Sequence, residues 1–496
     1  MIMKNKFLIV WAFSAGLLTV GLTGCDKNLD LQAPYALTPS NAFTDLASYQ
    51  RQLNGVYGSF ASANYYNGFY GVTTEMLTDN CYETAESLVN FNQVHNWLYI
   101  ASDPQRAYFQ SMWLQIYNTI LQANTIITKI DEVKSENEKL YNRILGQALA
   151  ARAIAHFDAL KGWADNNDRN GSGLGVPIKT TTDLAAPPRN TVKEVYDAIY
   201  ADLNRAITLL GNTDAPVNSG TNRGFIDIWG ARAALMRTAL HAKDYPTAIT
   251  QATALIAQFP LATRAQFPGI WTDGNSAEQI WNIQNNAGDP GSPFPSAEVM
   301  SFRFNRNTFG ALPAFISTFD TTGFGATGAG RDIRFSSYFF LRNTSPNGNN
   351  NWGLSKFRGK GTAADNLVNY KAFRVAEAYL TRAEANALTS GQEAGANADL
   401  NALKAARIDG WVNQTLTGAA LVSEIAAERR RELCFENHRW FDLKRTNRVL
   451  NRPTTGTGNP NGGVQTSLAS SSNKWLWPVV EAELRANPNI QQNPGY

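Results

Sequence analysis

Residues 428–445 read ERRRELCFENHRWFDLKR. Ten of these eighteen residues are charged, yet Leu433, Phe435, Trp440, Phe441 and Leu443 are interleaved with them. Laid on a helix, Val422, Ile425, Arg429, Leu433, Glu436 and Trp440 share one stripe. Arg429 and Glu436 therefore face the packed side, where each needs a partner. The spacing predicts the pairs Glu428–Arg431 and Glu436–Arg439. It also predicts a helix end in left-handed backbone at Asn437 and a second short helix over 438–445. No nucleophile or metal-ligand cluster accompanies the stretch. Four carboxylates among the cations do not suit a nucleic-acid arm. The stretch reads as a buried, ion-paired joint between helices.

Outward from the joint, the dominant signal is helical. Residues 104–130 place Met112, Ile116, Ile120, Ile127 and Ile130 at three- and four-residue steps. Residues 138–164 carry Ile144, Ala148, Ala151, Ala155 and Ala159 on one stripe. A bulky helix against an alanine-lined one permits close packing, as in helical-pair repeats. The pattern recurs at 192–210, 226–242, 244–258, 373–389 and 397–407. A further helix is expected through Phe43, Leu46, Leu53 and Tyr57, capped by Ser40. The fold expectation is mainly α: a scaffold of about four tetratricopeptide-like pairs carrying a large irregular, loop-rich part.

Between 260 and 370 the helical period is lost, and Gly, Asn, Ser and Pro rise while aromatics stay dense. A second irregular, aromatic-rich region runs from Tyr65 to Tyr99. Long loops in a compact protein usually carry function. Trp271 and Trp281 read as core, the latter on a buried strand in EQIWNIQ (278–284). Residues 450–473 read as a flexible loop.

The N-terminus supplies an address. Lys4 and Lys6 precede an apolar run that ends in LTGC, Leu22 to Cys25. Small residues before a cysteine resemble a bacterial lipobox, with Cys25 acylated after removal of residues 1–24. Two cysteines are then left, Cys81 and Cys434; an exported compartment permits them to pair, and two separate buried thiols is the favoured reading. Composition agrees with an exported protein. The chain has 496 residues, 44% hydrophobic and 17% charged, with a net charge of +3. So even a balance argues against nucleic acid. Four scattered histidines show no metal-ligand spacing, and no cofactor is expected.

Several motifs carry a resemblance. ERRRELCFENHRWFDLKR, the closing LWPVVEAELRANPNIQQNPGY (476–496), the lipobox, LNGVY (53–57), WLQIYNTILQANTII (113–127), GQALAARAIAHFDAL (146–160) and FRVAEAYLTRAEA (373–385) occur in one order. That order resembles the SusD/RagB family of nutrient-binding outer-membrane lipoproteins. The family usually has Gly where this chain has Asn437. The resemblance implies one SusD-like domain over 25–496. Its scaffold would lie at about 40–260 and 370–450, its variable binding region at about 60–100 and 260–370, and its closing motif at 474–496. It further implies a protein that is not an enzyme and is tethered by lipid to the cell surface. Its partner would be a SusC-type TonB-dependent transporter, to which it delivers oligosaccharides as a lid. A peptide-binding member of the family and a secreted carbohydrate-active hydrolase stand as alternatives.

The loops are then where a ligand would bind. A sugar offers apolar C–H faces to aromatic rings and hydroxyl edges to Asn, Asp and Arg. The candidates are Tyr65, Tyr66, Asp79, Asn80 and Trp97 in the first region and Phe304, Arg306 and Trp352 in the second. Trp97 is expected to be an exposed platform with Asn80 as an edge partner.

Overall fold

The computed structural model describes residues 42–84, 92–102, 108–286, 308–325, 330–342, 351–361, 366–452 and 466–496. Contacts divide the chain into Met1–Thr44 and Asp45–Tyr496. Of the first unit only 42–44 are described, and they form no helix or strand. The second holds all the elements below.

Helix α1, Leu46–Phe60, starts at Asp45, whose carboxylate accepts the Ser48 N–H at 2.7 Å in a capping box. The expected cap, Ser40, lies outside the described residues. Helix α2 spans Phe69–Met76, α3 Tyr108–Ile127 and α4 Glu138–Trp163. Helix α5, Val192–Leu210, opens on a Thr191–Glu194 capping box. Helices α6, Ile228–His241, and α7, Tyr245–Gln258, open on Asp227 and Asp244. Helices α8, Val375–Ala387, α9, Glu393–Arg407, α10, Gly418–Glu432, and α11, Arg439–Arg445, follow, with short helices also at Asn92–His95 and Glu481–Ala486.

These helices pair as α1 with α3, α4 with α5, α6 with α7, and α8 with α9. Contacts of α3 with α4, α5 with α6, and α7 with α8 join the pairs into one scaffold. Helix α4 is buried along most of its length, because neighbours cover it on both sides. Its alanines keep it thin enough for that. The same logic closes the seam where Ala239, Ala248 and Ala385 of three helices meet.

The irregular part contains short helices at 267–270, 313–316 and 333–338 and, among the described residues, four two-stranded antiparallel sheets. Strand β1, Cys81–Glu83, pairs with β3, Phe309–Ala311. Strand β2, Gln279–Ile283, pairs with β6, Tyr370–Arg374, through a bulge near Trp281. Strand β4, Phe339–Arg342, pairs with β5, Asn351–Leu354, and β7, Leu450–Asn451, with β8, Ser467–Leu468. Trp271 and Trp281 are buried, and Cys81 and Cys434 are buried and free.

The 428–445 stretch fastens the irregular part to the helices. Glu432 is bonded by Arg374 and Arg407 at 3.0 Å each and by Arg334 at 3.3 Å. Glu436 takes Arg374 at 2.9 Å and Lys356 at 2.7 Å. Glu278 takes Arg407 at 2.6 Å, Asp332 takes Arg334 at 2.8 Å, and Glu428 takes Arg431 at 2.7 Å. Charge is therefore balanced: Arg334, Lys356, Arg374, Arg407 and Arg431 face Glu278, Asp332, Glu428, Glu432 and Glu436. Such balance is what makes ions tolerable away from water. The guanidinium groups hold Glu432 and Glu436 below the usual carboxylate range and Glu428 down to about 2.

Two local expectations need correction. Helix α10 stops at Glu432 rather than running to Asn437, so the stripe through Glu436 and Trp440 is not one helical face. Asn437 is left-handed as expected, with φ 65°, but so is Phe435, with φ 62°. The turn aims Glu436 at Arg374, and Arg439 pairs with Asp79 at 2.8 Å instead of with Glu436.

Candidate functional site

Five of the expected ligand residues are inside the scaffold. Tyr65 and Tyr66 are at most 2% exposed. Together with Tyr70 their hydroxyls donate to Asp158 at 2.6, 2.8 and 2.8 Å. The carboxylate also pairs with Lys161 at 2.8 Å. Asp79 receives Arg439 through two bonds of 2.8 Å and Arg430 at 3.2 Å. Asn80 accepts from Arg430 at 2.9 Å and donates to Glu75 at 3.2 Å. Trp97 is 2% exposed and donates its indole N–H to the Leu77 carbonyl at 3.0 Å. The Arg452 guanidinium lies 4.1 Å from its ring centre. These polar tips are spent on other parts of the chain, so they are packing residues and not platforms. Their partners at 430, 439 and 452 are some 350 positions away, which no local pattern announces.

A cavity of about 600 Å³ runs beside the joint. It is lined by Arg429, Arg430, Arg439 and Arg445, among others. Those guanidinium groups already bond Asp442, Asp79 and Glu384. Four of its guanidinium groups are thus already committed to carboxylates, while Lys243 and Arg448 also line it.

The β4–β5 hairpin is different. Phe339 and its partner Leu354 are buried, whereas Leu341 is 40% exposed opposite half-buried Trp352. The Trp352 ring lies 4.9 Å from Phe335 and 6.2 Å from Phe324, itself 38% exposed. On the other face, Phe340 covers Gly353 so closely that a Cβ there would come within 2.4 Å of the ring. The Arg358 guanidinium sits 4.7 Å from the Phe340 centroid. One end of the hairpin is thus anchored in the core, and the other presents rings and one cation. Strand β5 packs on β3, whose partner is β1. Trp352 therefore belongs to the same block as 81–84 and 308–311. Phe304 and Arg306 lie outside the described residues, as does Cys25. The chain is described again from Thr308, whose carbonyl accepts the Thr84 N–H at 3.0 Å.

Of the expected set, the structure leaves Trp352 in a position to meet a ligand. Phe324, Leu341, Phe340 and Arg358 were not anticipated. A polar–apolar alternation across a Gly-rich stretch was the available sign, but 351–354 is too short for it to stand out.

A family model described as "SusD family" matches residues 322–496, and one described as "Starch-binding associating with outer membrane" matches residues 29–221. The chain belongs to the SusD/RagB family. A SusD-like protein from Formosa agariphila is 24% identical over 96% of each chain. The starch-binding protein SusD of Bacteroides thetaiotaomicron is 37% identical over 129 residues, 25% of this chain and 21% of that one. Solved SusD-type structures share the fold. A SusD superfamily protein from Bacteroides thetaiotaomicron superposes with a TM-score of 0.80 at 22% identity, covering 91% of this chain and 100% of that one. A SusD-like carbohydrate binding protein from Bacteroides vulgatus gives 0.75 at 22%, covering 90% and 98%. Among the described residues of this SusD/RagB chain, no helix is long and apolar enough to cross a membrane.

Proposed function

We propose that this protein is a cell-surface lipoprotein that binds oligosaccharides and passes them, as a lid, to a SusC-type TonB-dependent transporter of the outer membrane. It works by binding and not by catalysis. Cys25 is the acylated anchor. The observation that carries the reading is the β4–β5 hairpin, where Trp352, Leu341 and Phe324 meet solvent on a bed of buried rings. Sugar C–H faces stack on such rings. The descriptions of the matched models and relatives support a glycan ligand and an outer-membrane setting. Phe304 and Arg306 are proposed to add to the same site.

One whole-cell experiment tests both halves. Cells carrying the parent, Cys25→Ala or Trp352→Ala are incubated with a fluorescent oligosaccharide selected on a glycan array. Trp352→Ala stays on the surface and loses about 1–3 kcal/mol of affinity, a hot-spot-sized loss. Cys25→Ala leaves the membrane fraction. An array with no binder, or full affinity in Trp352→Ala, removes the hairpin as the glycan site.

A further inference from the structure

We infer that a cavity of about 340 Å³, set between the C-terminal half of α1, the turn at 224–225 and the end of β2, is a subsite for one neutral sugar ring. The inference rests on the glycan-binding reading above and places a second, separate contact away from the hairpin. Among the described residues the lining carries no charged side chain. That sets it apart from the arginine-lined cavity at the joint. Half-buried Tyr57 and Phe225 form its walls, fully buried Trp281 backs them, and Asn54, Gln284 and Asn286 bring amides.

The walls are fixed before any ligand arrives. The Tyr57 hydroxyl donates to Gln147 at 2.6 Å and accepts the Ile226 N–H at 2.9 Å. Its ring meets Phe225 edge to face at 5.4 Å. Trp281 donates its indole N–H to the Gly224 carbonyl at 3.3 Å and meets Phe60 edge to face at 5.4 Å. Rings held this way lose little freedom on binding.

Two of the amides, in contrast, keep hydrogen-bonding capacity, whereas Asn286 already accepts from Lys360 at 3.4 Å. The Asn54 side chain is exposed and has no hydrogen-bond partner among the described residues. Gln284 gives one N–H to Asn222 at 3.0 Å, which leaves its carbonyl and second N–H. A primary amide offers a donor and an acceptor side by side, the pattern that two neighbouring hydroxyls satisfy. A carboxylated or sulfated sugar would bring a charge with no counter-ion in the lining, which is costly. The volume sits near the lower end of the range of about 300–1,000 Å³ usual for ligand pockets.

Gly58 makes the subsite testable. It lies in α1 and lines the cavity, and a Cβ added there meets nothing within 4 Å. Gly58→Leu therefore fills the cavity without striking the packed core, and helix propensity favours the change. The experiment is saturation-transfer NMR on the full chain with the methyl glycosides of glucose, galactose, mannose and glucuronic acid. At least one neutral glycoside is expected to receive saturation, and the glucuronide none. Measured in a Trp352→Ala background, where the hairpin contributes nothing, Gly58→Leu abolishes the remaining signal at an unchanged thermal midpoint, and Phe225→Ala weakens binding about 10-fold. No transfer to any neutral glycoside overturns the subsite, as does equal transfer to the glucuronide or equal binding by Gly58→Leu. Signal lost in Trp352→Ala but kept in Gly58→Leu puts the sugar on the hairpin, which ends this inference and keeps the glycan reading.

Discussion

Two parts of this molecule have the composition of a sugar site. Around Asp158 and Glu432, tyrosines, asparagines, arginines and carboxylates are crowded together. Along 339–354 and around Tyr57 the same kinds of rings and amides appear at lower density. The crowded region is closed: three tyrosine hydroxyls converge on Asp158, and four cations divide themselves between Glu432 and Glu436. The sparser region is open, with Trp352 half-buried, Asn54 unbonded among the described residues and Gln284 half used. The two regions share residue types and differ in whether their polar tips are already spent.

Acid should break the closed region first, and this is the largest effect expected. Glu428, Glu432, Glu436, Asp79 and Asp442 all titrate below their ordinary range because arginines surround them. Each contributes stability that is complete above its unfolded pKa of 4.5 or 3.8 and is lost as pH falls through the folded value. His95, His241 and His438 are pushed down by burial and nearby cations, and His156 falls to about 3. They stay neutral in the fold while the unfolded chain takes up protons below 6.5, so they act in the same direction. Glu75, raised to about 7 by burial, opposes them between about 7 and 4.5, but it is one group against four. Thermal midpoints should drop modestly from pH 7 to 5 and steeply from pH 4 to 2, a loss on the order of several kcal/mol. A midpoint that holds level down to pH 3 contradicts the picture of an ion-held joint.

Arg374→Met probes the same region at a single point. Arg374 bonds Glu432, Glu436 and Glu278. Its loss leaves buried carboxylates under-paired, at a cost of about 3–5 kcal/mol. Urea unfolding measures it. A change below 1 kcal/mol on the order expected for exposed pairs would mean the joint is wetter than its burial implies.

The sequence disclosed the scaffold because helix pairing is written in local periodicity. The alanines of α4 and the bulky stripe of α3 sit at helical steps within single segments, and Asn437 announced its left-handed backbone. The helix end at Glu432 was not legible. Its cause is non-local: Glu432 and Glu436 must both face arginines from β6 and α9, and Phe435 turns left-handed to allow it. The site failed for the same reason. Asp79, Asn80 and Trp97 look like loop residues until Arg430, Arg439 and Arg452 arrive from the far end of the chain. Trp352 stood out in the sequence as an aromatic in a loop-rich stretch, whereas nothing local joins Phe225 to Tyr57, 168 positions away.

Trp97 and Trp352 give the smallest effect and the sharpest contrast. Both are indoles beside irregular segments, and sequence alone favoured Trp97. Its backbone is left-handed, with φ 56°, an unusual state for a bulky residue. The surroundings enforce that state: the indole N–H is bonded to Leu77, and Arg452 lies over the ring while donating to the carbonyls of Met76, Thr78 and His95. Trp97→Ala removes the surface on which that guanidinium rests. It should cost about 3 kcal/mol of stability, as for other buried aromatic truncations. The folded remainder should bind oligosaccharide as the parent does, because no face of the ring reaches solvent. Trp352→Ala should do the reverse, losing affinity with little change in midpoint. Parallel urea melts and glycan titrations of the two variants separate the cases. A stable Trp97→Ala protein that no longer binds would return the site to the closed region. Spent polar tips would then be no guide to where this fold meets its ligand.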